Sequence, residues 1–396
     1  KWHGTIADNC GTFFSSSDVV GRGCNDRLVY AGMDMPQGMQ PDYTYIARSQ
    51  KDKEASDSGQ FGVAFRWFVP ELNNTEFGFY AMNYHSRAPI YSNVAGRFAG
   101  PNALLELGAI TPEQFAQLIS PIQGYDGGIG GAGYFFEHPE DIRLFGISFG
   151  TDIGGTSVAG ELSYRPNMPL QINSGDMSRT ALMGTGSGTP FLGGQDNTHR
   201  DLTDLAPGDY IQGYERKEFW QASMSAVHFV DRILGASRLA LIGEVGANYI
   251  SGIEGNGPRF GRDSLFGQSP WQTGDGQAVG ECSSNSGAAG ESPRAASWCE
   301  NDGFYTDFSW GYRIRASLDY SNVFAGINLT PNIAWSHDVE GYSPNFTENA
   351  KSISVGVNAD YANKYNASLS YTNFFDGKYN TLVDRDFAAV SFGVSF

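Results

Sequence analysis

The sequence predicts an all-β protein: an antiparallel transmembrane β-barrel of the outer-membrane type, with long extracellular loops, one of which contains a short helix. Three observations predict this fold. Apolar and polar residues alternate with a period of two, short and long connections alternate along the chain, and the composition departs from that of soluble proteins. Glycine accounts for 51 of 396 residues and charged residues for only 17%, against averages of about 7% and about 25%.

Charge and hydropathy exclude several classes of protein. The formal net charge of −17 argues against a nucleic-acid partner, because phosphate binding requires clustered Lys and Arg. No run approaches the roughly 18 apolar residues of a membrane-spanning helix. The mean hydropathy of −0.32 still fits a barrel, because lumen-facing polar residues offset the lipid-facing apolar ones.

The alternation is clearest in the last five predicted strands, which each have one apolar face and one polar or small face. In the final strand, Val390, Phe392 and Val394 alternate with Ser391, Gly393 and Ser395. The five segments are 310–320, 325–335, 353–361, 365–371 and 388–396. Six earlier candidates are about 59–70, 74–86, 142–151, 154–166, 211–232 and 236–250. A strand of about 10 residues, tilted by about 40°, spans the apolar band of an outer membrane.

The connections favour a barrel over a soluble β-sandwich, because tight turns alternate with long excursions. The long loops are expected at about 8–58, 87–141, 167–210 and 251–308. We therefore treat 1–396 as a single barrel domain. Eleven strands can be counted, and residues 1–6 could be the end of a twelfth, so we expect N-terminal strands to be missing.

Several charged residues share the parity of the polar face and are predicted to line the lumen. These candidates are Arg66, Glu161, Arg165, Arg238, Glu244, Arg313, Arg315 and Asp319. Charges are tolerated on that face because it is wet. They are either a structural ladder of paired arginines and carboxylates or a constriction that selects solutes by charge.

A short helix is predicted in the second long loop, where Thr111, Pro112 and Gln114 form an N-cap, a proline at the first helical position and a capping-box partner. Apolar residues lie in and before it. They are Leu104, Leu105, Phe115, Leu118 and Ile119. They form either the loop's own small core or an apolar surface that captures ligands at the barrel mouth.

The four cysteines fall in two of the long loops, Cys10 and Cys24 in the first, Cys282 and Cys299 in the last. Three pairings are possible, and local pairing within each loop is favoured over free thiols. No cofactor and no specific metal site is predicted, although acidic loops could hold Ca²⁺ or Mg²⁺ and bridge to lipopolysaccharide. The scattered histidines lack the HExxH and GxSxG patterns, so an enzyme is not predicted.

Three stretches resemble the domain of unknown function 1302 family of proteobacterial outer-membrane proteins. They are WHGTIADNCGTFFSSSDVVGRGC, DSGQFGVAFRWFVPELNNTEFGFYAMNYHSRAPIYS and HPEDIRLFGISFGTDIGGTSVAGELSYRPNMPLQIN. The resemblance runs from about residue 2 to 173 and continues more weakly through the final strands. Cys10 and Cys24 correspond to two early cysteines of that family, whose members carry a further N-terminal region.

The resemblance implies location in the outer membrane of a Gram-negative bacterium and transport of hydrophobic small molecules such as fatty acids, terpenoids or sterols. Its expected partners are outer-membrane lipid, lipopolysaccharide and that substrate, and the expected state is a monomer. Two alternatives stay open. One is a water-filled porin for small polar solutes, and the other is a surface binding or structural protein, since long loops suit binding.

Overall fold

A computed structural model describes residues 27–29, 45–48, 50–95, 133–183, 208–253, 258–263, 266 and 302–395. Sixteen strands and one helix lie in these ranges. The strands are β1 (Arg27–Val29), β2 (Tyr45–Arg48), β3 (Phe61–Val69), β4 (Thr75–Tyr84), β5 (Ile90–Val94), β6 (Gly133–Glu137), β7 (Ile142–Ile153), β8 (Thr156–Gln171), β9 (Tyr210–Ile211), β10 (Tyr214–Asp231), β11 (Arg238–Ile250), β12 (Phe308–Phe324), β13 (Ile327–Glu340), β14 (Lys351–Tyr361), β15 (Tyr365–Phe375) and β16 (Phe387–Val394), and the helix is α1 (Ser174–Met183).

Eleven strands form one large antiparallel sheet in the order β3-β4-β7-β8-β10-β11-β12-β13-β14-β15-β16. The all-β prediction is confirmed, and these eleven strands are the eleven predicted from sequence. No hydrogen-bonded ladder joins β3 to β16 among the described residues. With eleven alternating strands, β3 and β16 run in the same direction, so a direct pairing between them would be parallel, unlike the other ten pairs.

The two rims of this sheet differ in their connections. Turns of a few residues join the strands at one rim, which we call the short-turn rim. Gly154 and Gly155 join β7 to β8 and have φ values of 59° and 79°. Positive φ at both central residues is typical of a type I′ hairpin turn, whose twist matches that of antiparallel strands. At the opposite, long-loop rim, the connections include the second sheet and α1.

The large sheet exposes its apolar face instead of burying it. Phe61 and Val63 of β3 are both 69% exposed, and Val390 and Phe392 of β16 are 79% and 72% exposed. Register keeps such residues in rows across strands, as in Phe65, Phe79, Ile147 and Leu162. We call this side the apolar face and the other the polar face.

The buried core lies instead at the long-loop rim. The second sheet has the order β1-β2-β6-β5-β9, and α1 packs near β5. A hydrophobic cluster joins this sheet, α1 and the ends of the long strands. It contains Tyr91, Ala95, Tyr134, Leu170, Ile172, Met177, Ala181, Ile211, Phe219, Ile250 and Phe260.

Three of the predicted long loops contain regular secondary structure. The segment 167–210 was expected to be a loop, but β8 continues to Gln171 and α1 follows it. Asn173 begins α1, since its Oδ1 accepts a hydrogen bond from the backbone amide of Asp176 at 3.1 Å. The segments 8–58 and 87–141 likewise contain strands of the second sheet. The helix predicted near residues 112–119 lies outside the described residues.

A buried carboxylate holds the second sheet together. Glu137 is 7% exposed, and its Oε1 accepts hydrogen bonds from the Tyr210 hydroxyl (2.6 Å) and the Ser92 hydroxyl. Lys53 Nζ lies 3.9 Å from its other oxygen and 3.9 Å from the centre of the Tyr210 ring. Burial, together with the adjacent Glu137, raises the pKa of Tyr210. The phenol therefore remains a hydrogen-bond donor well above neutral pH.

We expect Glu137→Gln to destabilise the second sheet by about 1–3 kcal/mol, because an amide cannot accept both hydroxyl protons and pair with Lys53 as well. Limited proteolysis and thermal unfolding of the purified chain in detergent will measure this. Glu71→Gln, at an exposed short turn, is the matched control and should leave both readouts unchanged. Equal protease resistance of the two variants would show that Glu137 does not stabilise the sheet.

Candidate functional site

The most developed site on the polar face is formed by one loop that folds back over the sheet. The backbone of β11 pairs with that of β12 so that Gly246 lies opposite Gly311. The ring of Phe346, from the connection between β13 and β14, fills the space over both glycines. A Cβ at Gly246 would lie 3.3 Å from Phe346 Cζ, and one at Gly311 would lie 3.0 Å from Phe346 Cε1. We call residues 341–350 the Phe346 loop.

Side chains of the polar face hold the Phe346 loop in place. The buried Asn248 donates through Nδ2 to Ser343 Oγ at 2.9 Å and to Asn345 Oδ1 at 2.8 Å. The backbone amide of Thr347 donates to Asp338 Oδ2 at 3.0 Å. Asn248 lies on β11 and Asp338 on β13, so anchors from two different strands fix the loop over the face rather than extended away from it.

An ion pair lies beside the ring. Arg313 Nη2 donates to Asp338 Oδ1 at 2.6 Å, and the Arg313 guanidinium lies 5.9 Å from the centre of the Phe346 ring. Asp338 therefore uses one oxygen for Arg313 and the other for the loop backbone. Asp338 therefore links the charged Arg313 side chain of the polar face to the backbone of the Phe346 loop.

Toward the short-turn rim from the Phe346 loop, the polar face presents charges that are not paired. Glu161, Glu244 and Arg315 are exposed, and none makes an ion pair with another described residue. Arg315 is two residues from Arg313 on β12, and Glu244 is the cross-strand neighbour of Arg313. The arrangement leaves both signs of charge accessible to a solute that reaches this face.

The remaining predicted lumen residues also lie on the polar face. Arg66 pairs with Glu76 at 3.8 Å, and Arg238 pairs with Asp231 at 3.5 Å. Arg165 donates to the Tyr84 hydroxyl at 3.2 Å and to Gln221 at 3.4 Å. Asp319 accepts from Thr330 at 3.4 Å. The predicted set is therefore partly a structural ladder and partly unpaired, and the structure brings only Arg313, Arg315 and Glu244 near the Phe346 loop.

Aromatic side chains from several connections pack together near the Phe346 loop at the long-loop rim. Tyr379 is 5.9 Å from Tyr342 and 5.3 Å from Phe266 between ring centres. The Arg262 guanidinium lies 3.9 Å from the Phe304 ring. Burial raises the pKa of Tyr305 to about 12, which keeps its phenol neutral. This end of the site is thus rich in aromatic rings, which enclose the Arg262 guanidinium, in contrast to the face below it.

Several predicted site residues fall in segments that the structure does not describe. The capture candidates Leu104, Leu105, Phe115, Leu118 and Ile119 lie outside the described residues, as do Cys10, Cys24, Cys282 and Cys299. Of the acidic loop residues, Asp52 accepts from the backbone amide of Phe136 at 3.0 Å and pairs with Arg48, so it has a structural contact. Within the described ranges, no group of three or more His, Cys, Asp or Glu is arranged to hold a metal ion.

The sequence predicts a connection near residues 338–348, but not that it folds back over the polar face. The available signal was a glycine on each of two strands predicted to be neighbours, at polar-face positions. Glycine at such a position often marks a close approach of another segment. Which segment approaches could not be read from the pattern.

A search for helices long and apolar enough to cross a membrane finds none in the part of the chain that the structure describes. The fold and site define an all-β protein with one large two-faced antiparallel sheet and a folded cap of loops at one rim. The chain belongs to the family described as "Protein of unknown function (DUF1302)", whose sequence model matches residues 1–396. No curated protein matches the chain.

Proposed function

We propose that the chain is an outer-membrane β-barrel that transports hydrophobic small molecules such as fatty acids, terpenoids or sterols. The observation that supports insertion in a membrane is that the pattern of burial is the reverse of that in a water-soluble β-protein. Large apolar side chains are exposed along the sheet, while the buried core lies at the long-loop rim, among the second sheet, α1 and the ends of the long strands. Exposed apolar area on this scale is costly in water, and hydrocarbon removes that cost.

The barrel is the closed form that such a sheet needs in lipid, because unpaired strand edges are not tolerated in hydrocarbon. An all-antiparallel barrel has an even number of strands. The closed form that we propose therefore contains at least one strand beyond the eleven of the sheet. The long-loop rim then faces outward and the short-turn rim faces the periplasm.

The aromatic packing at the long-loop rim supports a hydrophobic substrate. Phe266 and Phe346 are partly exposed where a solute would enter, and the buried rings of Tyr342 and Tyr379 pack behind Phe266. No catalytic constellation is part of the proposal. For a substrate to pass, either the Phe346 loop must move away from the polar face, or a path must remain open beside the loop.

Uptake by cells tests this proposal. In a Gram-negative host that lacks its own fatty-acid transporter, expression of the full chain should restore uptake of labelled oleate, or of a labelled sterol or terpenoid. The control is the same host with an empty vector and matched levels of other outer-membrane proteins. Uptake equal to the empty-vector rate for all three compounds would contradict the proposed transport.

A water-filled porin for polar solutes is the second candidate, and the exposed charges of Glu161, Glu244 and Arg315 favour it. Conductance in planar bilayers separates the two proposals. Steady ohmic openings of the purified chain would favour the porin, and silence together with restored oleate uptake would favour the hydrophobic transporter.

A further inference from the structure

The apolar face carries a groove near its β3 edge. The groove has a volume of about 540 Å³ and an almost entirely apolar lining from β3, β4, β7, β8 and β10. Ala81 and Gly146 are small residues that line the groove between larger ones. The larger lining residues include Phe65, Phe79, Phe145, Ile147, Leu162 and Trp220.

The groove is bounded toward the long-loop rim by a stacked aromatic pair, Tyr164 and Trp220, whose ring centres are 4.2 Å apart. Amphipathic aromatic rings are typical of the boundary between hydrocarbon and headgroups. The groove therefore lies on the hydrocarbon side of this boundary, and the residues beyond the pair lie at headgroup level.

Two exposed arginines lie at that level. Arg143 shares its face of β7 with Phe145, two residues or about 7 Å along the strand, and Arg216 shares its face of β10 with Trp220. The Arg143 amide donates to Asn167 Oδ1 at 2.9 Å, and Arg216 Nη1 donates to Asn167 O at 3.2 Å. Asn167 thus lies between the two residues and links them.

Neither guanidinium is neutralised by a described carboxylate. Glu140 and Asp141 are nearby, but Glu140 Oε1 accepts from the Ser56 amide at 2.7 Å, and Asp141 Oδ1 accepts from Asn83 Nδ2 at 2.8 Å. Arg216 is held by the carbonyl oxygen of Glu140 at 2.7 Å. Two exposed cations next to an apolar groove, one of them held in place by backbone carbonyls, complement a lipid that has a phosphate on its headgroup.

We propose that Arg143 and Arg216 bind the phosphate of an outer-leaflet glycolipid, lipopolysaccharide, while the groove below them takes one of its acyl chains. The inference rests on the proposed function, because only an inserted barrel presents this rim to the outer leaflet. It adds a lipid site on the outside of the sheet, separate from the site at the Phe346 loop.

The test uses the purified full chain in detergent, titrated with lipid A and with dephosphorylated lipid A, and bound lipid is counted by native mass spectrometry. The wild type should retain lipid A in preference to the dephosphorylated form. Arg143→Gln combined with Arg216→Gln should remove most of that preference. Arg232→Gln combined with Arg385→Gln removes the same charge from exposed sites elsewhere and should retain it.

Two further variants test the two halves of the site separately. Glu218 lies on the same face between Arg216 and Trp220 and is exposed, so Glu218→Gln should strengthen the preference for lipid A. Ala81→Phe fills the groove and should lower the retention of both lipids alike. The preference should also fall as ionic strength rises.

An unchanged preference in the Arg143 and Arg216 double variant would overturn the proposal, as would equal retention of both lipids by the wild type. Either result leaves the transport proposal intact if oleate uptake is restored. Conversely, lost uptake with a retained lipid A preference would reject the transport function and keep the lipid site.

Discussion

Replacing Leu369 with arginine is expected to destabilise the folded chain in lipid by about 2–4 kcal/mol, because the residue lies midway along β15 on the apolar face. Leu369 is 54% exposed. In a water-soluble protein, an arginine at such a position would change stability by no more than about 0.5 kcal/mol. The free energy of unfolding by urea or guanidinium in lipid vesicles measures the difference.

Ser370→Arg is the matched control, since Ser370 is the next residue along β15 and points to the polar face. There the arginine remains hydrated, so we expect a much smaller loss of stability. Equal effects at the two positions would reject the assignment of the apolar face to lipid. The pair compares the same side chain, at the same depth, on opposite faces.

Replacing Phe346 with alanine is expected to open the polar face to ions and to raise conductance in planar bilayers above that of the wild type. The ring fills the space over Gly246 and Gly311, and no other described side chain occupies it. Because the ring is only partly buried, its loss should cost less than the roughly 3–5 kcal/mol of a fully buried phenylalanine. The chain should therefore still fold and insert.

Phe375→Ala is the control for this variant, because it removes the same ring near the same rim but on the apolar face, beside Trp335. Its conductance should equal that of the wild type. Gly246→Val should displace the Phe346 loop, because the valine side chain would occupy the position of the ring. Residues 341–350 should then be easier to cleave with protease. A wild-type conductance in Phe346→Ala would show that the ring does not obstruct the path.

Much of the large sheet could be predicted because its signal is local. In β14, Ile353, Val355 and Val357 alternate with Ser354 and Gly356, and a period of two follows from strand geometry alone. The predicted bounds are closest where tight turns fix them. They are poorest at the long-loop rim, where β8 extends to Gln171 and β12 begins at Phe308.

The second sheet was not predicted, because its strands are short and its partners are distant. β5 pairs with β6 about 40 residues later and with β9 more than 100 residues later. Alternation over two to five residues carries little information. The helix α1 did have a local signal, in Asn173 as N-cap and Asp176 in its first turn, but the segment was interpreted as a loop.

The sequence by itself determined the eleven strands, their two faces and the parity of residues such as Arg313 and Glu244, because each of these depends on the chain's local period. Only the tertiary structure decided that Phe346 folds over Gly246 and Gly311, that Glu137 is buried under Tyr210, and that Arg143 and Arg216 meet at Asn167. These contacts join residues far apart in the chain. Their partners are chosen by the packing of whole elements, which no local pattern encodes.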